Sequence, residues 1–373
     1  MIRLTVPAIR YEEVEQGFRE ILESGWLTNG PKVEQFERVT ADYMKVPHAV
    51  AACNGTAALH LALLALGIGP GDEVVCSDYT FPASSNSIEF CGAAAVLCDV
   101  DIATYNMAPS DLEKRITEHT KAVMVVHQFG LSADMDSIGG IARARGLAII
   151  EDAACAIGAS YKGRFCGTIG NAGTFSYHPR KVLTTGEGGM VVTSDEAIAQ
   201  RVASLRNHGM CDAGGVKTFG GIGYNYRLSE LGGVVGLAQM NKLDWIVSER
   251  RRLAAELTER IADLEGVHAP VEPEGCRHIY QSFVVRLDSS LDRDRVITEL
   301  RDSGVEATTG AAACHTLGYY QQKYGYADGD LPGSFELYKQ TVTLPLYPGM
   351  TGEDVQSVAK GLETAVSRSR DQS

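Results

Sequence analysis

Short apolar runs alternate with amphipathic stretches through the first half of the chain. EVVCS (73–77), AAVLCDVD (94–101), AVMVVHQFG (122–130) and LAIIEDAA (147–154) each end in a polar or glycine-containing turn. Helical stretches such as residues 136–145 lie between some of them. Strands alternating with helices predict a parallel sheet covered on both faces. TAALHLALLALG (56–67) is apolar nearly all round and predicts a buried helix. Residues 11–24 place Val14, Phe18, Ile21 and Leu22 on one face of a helix, which Gly25 ends. A second helix follows Pro31, with Val33, Phe36 and Val39 or Thr40 on one side. TFSYHP (174–179) and GMVVTSD (189–195) predict a hairpin-like pair of strands added to the parallel sheet.

From residue 229 the pattern is helical through 264, too long for one plain globular helix without a break. FVVRL (283–287) then predicts a strand and 293–303 a helix, and GVEATTG (304–310) turns into an edge strand. TVTLPLYP (341–348) precedes a last amphipathic helix at 352–367. The expectation is therefore an α/β chain. A large domain over 1–248 carries a mixed, mostly parallel sheet, and a smaller α+β domain occupies 249–373.

Composition narrows the function classes. The 373 residues are 45% hydrophobic and 22% charged, ordinary for a globular protein with a sizeable core. The net charge of −13, with no run of Lys or Arg, argues against nucleic acid as a partner. An anionic substrate must then be held by local donors rather than by the overall field. Nine cysteines, an odd count with no CxxC pair, fit free thiols in a reducing cytoplasm. No secretory hydrophobic region opens the sequence and no run of 18 apolar residues occurs, so no membrane partner is expected.

In open α/β sheets ligands sit beyond the carboxyl ends of the strands. Three features fall there. Asp152 follows the apolar run LAII; it either caps a turn or presents a buried carboxylate to a cationic ligand such as a pyridinium nitrogen. Lys181 lies between an apolar run and a loop containing Gly186, Gly188 and Gly189. A lysine is usually a solvated surface residue, but one beside a loop that lets backbone approach a ligand can form a Schiff base if its pKa is lowered. Arg180 beside it is the better solvent-facing cation. Asn54-Gly55-Thr56-Ala57 opens the buried helix, where free N–H groups suit a phosphate, with plain capping by Asn54 or Thr56 as the alternative. Ser176 can add a hydroxyl to the same anion.

These segments, in this order along essentially the whole chain, resemble the sugar aminotransferases of the DegT type, a branch of the fold-type I pyridoxal phosphate enzymes. The resemblance is carried by NGTAALHLAL (54–63), DYTFPASSNSI (78–88), DVDIATYN (99–106), HQFGLSADMD (127–136), EDAACAIGA (151–159), TFSYHPRKVLTTGEGGMV (174–191), RNHG (206–209), GYNYRLSEL (223–231) and LPLYPGMT (344–351). It implies an aspartate-aminotransferase-like fold of type I and pyridoxal 5′-phosphate as cofactor. Lys181 then matches the Schiff-base lysine and Asp152 the partner of the pyridine nitrogen. Thr56, Ala57 and Ser176 match phosphate contacts, with Gly55 in the same turn. Phe81 matches an aromatic that stacks on the ring. Asn225 matches an asparagine that reaches the cofactor phosphate of a neighbouring subunit, implying a homodimer with shared active sites. Arg227 and His315 lie where substrate contacts often fall. Cys155 departs from the pattern, because the family usually has Gln or His there, near the ring hydroxyl. A thiol is the weaker donor, and Cys155 is expected to be an apolar filler of a tight wall rather than a metal ligand.

The resemblance further implies transfer of an amino group from an amino acid, glutamate, to a keto-sugar. A nucleotide-linked 3-keto or 4-keto hexose is the commonest acceptor class, with a keto-cyclitol or an unactivated keto-sugar as alternatives. A dehydratase of the same family carries His in place of the lysine, which Lys181 argues against. A non-catalytic sensor needs neither Lys181 nor Asp152.

Overall fold

The computed structural model describes residues 1–370. Seven strands form the main sheet: β1 (His48–Ala52), β2 (Glu73–Ser77), β3 (Ala94–Cys98), β4 (Thr120–Val126), β5 (Ala148–Asp152), β6 (Ala172–Ser176) and β7 (Gly189–Thr193). Their spatial order is β1-β7-β6-β5-β4-β2-β3. Neighbours are parallel except at β7, which runs antiparallel to both β1 and β6. Val74, Val75, Val123, Val125 and Ile150 are fully buried, as strands sandwiched between helical layers require.

The expected strands end earlier than their apolar runs. β4 stops at Val126 because residues 128–130 form a short 3-10 turn with Phe129 at φ +55°. β3 stops at Cys98 and β5 at Asp152. The pair at 172–193 is antiparallel as predicted but is not an addition at the margin. β1, which lacks a β-branched run in HAVAA, closes the sheet beyond β7.

Helix α1 (Glu15–Ser24) follows a 3-10 turn at Tyr11–Glu13 and ends at Gly25, φ +69°. α2 (Pro31–Met44) buries Val33, Phe36 and Thr40. α3 (Gly55–Ala65) buries eight of its eleven residues, which explains its apolar circumference. α4 (Ala83–Phe90) follows β2, and α5 (Met135–Arg145) links β4 to β5.

The long helical stretch breaks once, between α6 (Glu230–Met240) and α7 (Leu243–Ile261). Before it, residues 210–219 form an exposed hairpin, β8 (Met210–Ala213) with β9 (Val216–Phe219). The C-terminal part holds a second sheet of β10 (Val267–His268), β11 (Phe283–Leu287), β12 (Thr308–Thr309) and β13 (Thr341–Leu344), in the antiparallel order β10-β11-β13-β12. It is packed by α8 (Arg293–Asp302) and α9 (Gly352–Arg370). α7 serves two cores. Leu243, Ile246 and Val247 pack with α2 and the main sheet, whereas Leu253, Leu257 and Ile261 pack with the second sheet. The boundary expected at 248/249 falls inside this helix. The amino end of the chain crosses over as well: Ile2 N–H donates to Gly304 C=O at 2.8 Å, and Glu306 N–H donates to Ile2 C=O at 2.9 Å.

Candidate active site

The register of the main sheet lines up the candidate residues along one edge. Asp152 stands opposite Thr174. Ser176 stands opposite Gly189, and Gly189 opposite Ala52, two residues before Asn54. Asp152 is the last residue of β5 and is 4% exposed. Its Oδ2 accepts from Ser84 Oγ at 2.7 Å and its Oδ1 from the Ala154 N–H at 3.1 Å. A buried carboxylate held by two donors keeps its orientation. Ser84 also lies 3.2 Å from the Phe81 carbonyl, which ties Asp152 to the turn carrying Phe81. The Phe81 side chain is 67% exposed, an open aromatic face in this corner of the molecule. Ser84 was not singled out by sequence; its place in FPASSNS, ahead of a helix, was the available signal.

Behind Asp152 lies a second group that sequence reasoning missed. Glu151 is fully buried and accepts from His127 Nε2 at 2.8 Å and from the N–H groups of Gly167, Ile169 and Gly170. His127 Nδ1 accepts from the Ala133 N–H at 3.1 Å, so Nε2 carries the proton. This cluster locks the ends of β4 and β5 together.

Lys181 sits in the loop between β6 and β7. Tyr177 anchors that loop, donating to Gly188 C=O and accepting from Thr185 N–H and Thr184 Oγ. Lys181 is half-buried while Arg180 is exposed, as predicted. The Lys181 Nζ lies 3.0 Å from Cys155 Sγ. The sulfur thus meets the amine directly from the turn that follows Asp152. All nine cysteines are free, and burial raises the pKa of Cys76, Cys91, Cys98, Cys166 and Cys314.

Gly55, Thr56 and Ser176 form a cradle. Asn54 caps α3 by accepting from the Ala57 N–H at 2.8 Å, so that donor is already engaged. The N–H groups of Gly55 and Thr56 and the hydroxyls of Thr56 and Ser176 have no partner among the described residues. A Cβ on Gly55 would fall 2.7 Å from Ser176 Cβ and 3.1 Å from its Oγ, so the helix start and Ser176 are in close contact. Open N–H groups at a helix N-terminus together with two free hydroxyls suit a phosphate. With Asp152 for a ring nitrogen and Lys181 for an aldehyde carbon, the residues present fit pyridoxal phosphate.

Of the remaining candidates, Asn225 is exposed on a segment held beside this cradle by the Cys53 N–H bond to Tyr226 C=O, 2.8 Å. Arg227 donates to Asn207 Oδ1 at 2.7 Å. His315 does not face open space. It is fully buried, with Nδ1 2.6 Å from Asp78 Oδ2, its N–H 2.7 Å from Asp78 Oδ1, and Nε2 3.3 Å from the Asp328 carbonyl. It clamps the C-terminal part onto the end of β2. Among the described residues no cluster of three or more His, Cys, Asp or Glu is placed to hold a metal, and no helix is long and apolar enough to cross a membrane.

The model of the DegT/DnrJ/EryC1/StrS aminotransferase family matches residues 8–363. The chain belongs to this family. It is similar to the spore coat polysaccharide biosynthesis protein SpsC of Bacillus subtilis (strain 168), 38% identical with 97% of this chain and 96% of the relative covered. It is equally similar to the GDP-perosamine synthase of Caulobacter vibrioides, 38% identical over 97% and 98%. Among solved structures, the aminotransferase TlmJ from Streptoalloteichus hindustanus superposes with a TM-score of 0.92 at 32% identity, covering 99% of each chain. DesV of S. venezuelae, solved with a ketimine intermediate, gives 0.91 at 32% identity over 97% and 98%. As a member of this family the chain is a sugar aminotransferase with pyridoxal phosphate as its cofactor. Its fold is that of the type I aminotransferases expected from sequence.

Proposed function

We propose that this enzyme moves an amino group from glutamate to a nucleotide-linked keto-hexose, at carbon 3 or 4, using Lys181 as its covalent anchor and proton carrier. The observation that carries the residue assignment is the meeting of Lys181 Nζ with the turn that follows Asp152, at the same edge of the main sheet that carries Ser176. The acceptor class is supported by relatives named GDP-perosamine synthase, from Caulobacter vibrioides and from Escherichia coli O157:H7, the latter 35% identical over 95% of this chain.

When bound, pyridoxal phosphate supplies an electron sink for the carbon that gains or loses a proton. The chain does the rest. Gly55, Thr56 and Ser176 would hold the phosphate, and Phe81 would offer its exposed ring to the cofactor. Asp152, fixed by Ser84 and the Ala154 N–H, supplies the counter-charge for the ring nitrogen. Lys181 Nζ would act as general base and acid, taking a proton from the substrate carbon and delivering it from the same side to the cofactor carbon. Cys155 Sγ offers that amine a resting contact at 3.0 Å. Two substrates served in turn by one carrier give ping-pong kinetics. In a homodimer, Asn225 of each chain completes the phosphate site of the other.

The decisive experiment pairs Lys181→Ala with Arg180→Ala. The first loses turnover and the covalently held cofactor while staying folded; the second keeps both. Normal turnover of Lys181→Ala refutes the assignment. A panel of nucleotide-linked, unactivated and cyclitol ketones, given to the amine-loaded enzyme, identifies the acceptor.

A further inference from the structure

The loop that carries Lys181 is held mainly by its own bonds, such as Lys181 N–H to His178 C=O at 2.8 Å and Arg180 N–H to His178 Nδ1 at 3.2 Å. Among the described residues, two side chains from outside the loop hydrogen-bond to residues 178–183. One is Cys155, at Nζ. The other is Gln281, whose Nε2 donates to the Arg180 carbonyl at 2.8 Å across 101 positions of sequence.

That carbonyl is part of the peptide plane that also contains the nitrogen and Cα of Lys181. Because the peptide is planar and stiff, holding its oxygen fixes the plane from which the Lys181 Cα hangs and so limits the directions open to its side chain.

Gln281 is itself fixed with unusual thoroughness. Its side chain is nearly buried, and its Oε1 accepts from Ser282 Oγ at 3.2 Å, which turns Nε2 toward Arg180. Its carbonyl accepts from Arg250 Nη1 at 3.1 Å. Arg250 is 2% exposed on α7 and gives the same nitrogen to Tyr280 C=O at 3.1 Å and Leu346 C=O at 2.9 Å. Among the described residues no carboxylate pairs with it, and burial lowers its pKa to about 10, so it still carries its charge at neutral pH. A buried guanidinium answered only by carbonyl dipoles binds those carbonyls tightly. On the other side, Ile279 N–H donates to Gly130 C=O at 3.1 Å. A Cβ at Gly130, φ +94°, would lie 3.1 Å from both the Gln281 nitrogen and the Cys155 carbonyl oxygen. The segment 279–281 is thus wedged between the buried Arg250 and the turns of the active site.

We infer that Gln281 is a positioning residue for the transamination. Through the Arg180 carbonyl it aims Lys181, and through Arg250 it couples that aim to the packing of α7 and the C-terminal part of the chain. The inference rests on Lys181 being the catalytic lysine.

The test uses the cofactor-loaded enzyme with Gln281→Met, which keeps length and removes the donor, and Gln281→Glu, which sets a carboxylate against the carbonyl. Loss of one buried hydrogen bond that orients a reacting group is expected to lower kcat about tenfold in Gln281→Met. KM for both substrates should stay within about twofold, since the loss falls on orientation rather than on substrate binding. Backbone amide exchange in peptides covering 178–184 should quicken while the melting temperature holds. Gln281→Glu should lose more kcat than Gln281→Met. Wild-type kcat and exchange in Gln281→Met overturn the inference, and so does a fall in kcat without faster exchange in 178–184. Should Lys181→Ala retain turnover, the catalytic assignment fails on its own terms; the exchange measurement still reports whether Gln281 holds the loop.

Discussion

Replacing His315 by Ala separates two roles, a substrate contact and a buried clamp. The change removes the imidazole that reaches Asp78 Oδ2 at 2.6 Å but leaves the backbone N–H that reaches Oδ1 at 2.7 Å. Both residues are fully buried. Breaking one side of a buried ion pair costs about 3–5 kcal/mol, and the retained N–H bond puts this case near the lower end, about 3 kcal/mol. For 373 residues an unfolding entropy of about 0.8 kcal/mol/K turns that loss into a melting temperature about 4 °C lower. Burial by itself lowers the His315 pKa, but the Asp78 carboxylate, with help from Asp328, outweighs it and holds the value above the ordinary 6.5. A pKa raised in the folded state stabilises fully below about pH 6.5 and loses that contribution as pH rises through the raised value. The gap between wild type and variant therefore narrows in alkaline solution. Calorimetry or a fluorescence melt from pH 6 upward, alongside KM for donor and acceptor, makes the measurement. Adding Asp78→Asn to His315→Ala should recover part of the loss, because no carboxylate is then left buried without its partner. An unchanged melt with a raised acceptor KM refutes the clamp and restores His315 as a substrate contact.

Coexpressing a Lys181→Ala chain with an Asn225→Ala chain should yield mixed dimers more active than either parent; no recovery in verified mixed dimers with inactive parents refutes shared sites. Gly55→Ala should weaken cofactor binding, because a Cβ 2.7 Å from Ser176 Cβ forces the helix start and Ser176 apart, and the same overpacking should destabilise the cofactor-free protein by about 1–3 kcal/mol; titration with pyridoxal phosphate alongside a melt reads both, and wild-type affinity contradicts the cradle. Cys155→Ala should lose less than about tenfold in kcat at saturating cofactor, because the sulfur supplies one hydrogen bond to Nζ, and Cys155→Ser should lose less than that. A drop of several orders of magnitude in the alanine variant makes the thiol a participant.

Local pattern was a good guide wherever burial is uniform along an element. The runs that became β2, β5 and β11, the apolar circumference of α3, and Gly25 at the end of α1 were all readable because each residue reports its own environment. β1 was not, since HAVAA has a single β-branched residue and acquires its strand character from pairing with β7. Strand ends were overdrawn where apolar residues continue into a turn, as at Phe129. The order of the candidate segments pointed to Lys181, Asp152 and the turn at Gly55–Thr56 as candidate residues. It said nothing of Ser84 behind Asp152, of the His127–Glu151 lock, or of Gln281, whose bond joins positions 101 residues apart and belongs to no local motif. His315 shows the converse: its position along the chain suggested a substrate contact, and its pairing with Asp78 became legible only from its neighbours in space.

The crossing of Ile2 onto residues 304–306 alters the mechanics of the molecule. A body joined to its neighbour at one point can swivel freely, whereas one joined at two can only swing about the line between them. Here the chain passes between the two cores along α7 and again through its first residues. Twisting, sliding and rotation of the C-terminal body across the main sheet are resisted by both passages and by the contacts between them, the His315–Asp78 pair and the pairing of Ala312 and Ala313 with Thr80 and Tyr79 included. So braced, the molecule carries the packing of α7 directly to residues 279–281, through Arg250 to the carbonyls of Tyr280 and Gln281, and from Gln281 to the Arg180 carbonyl.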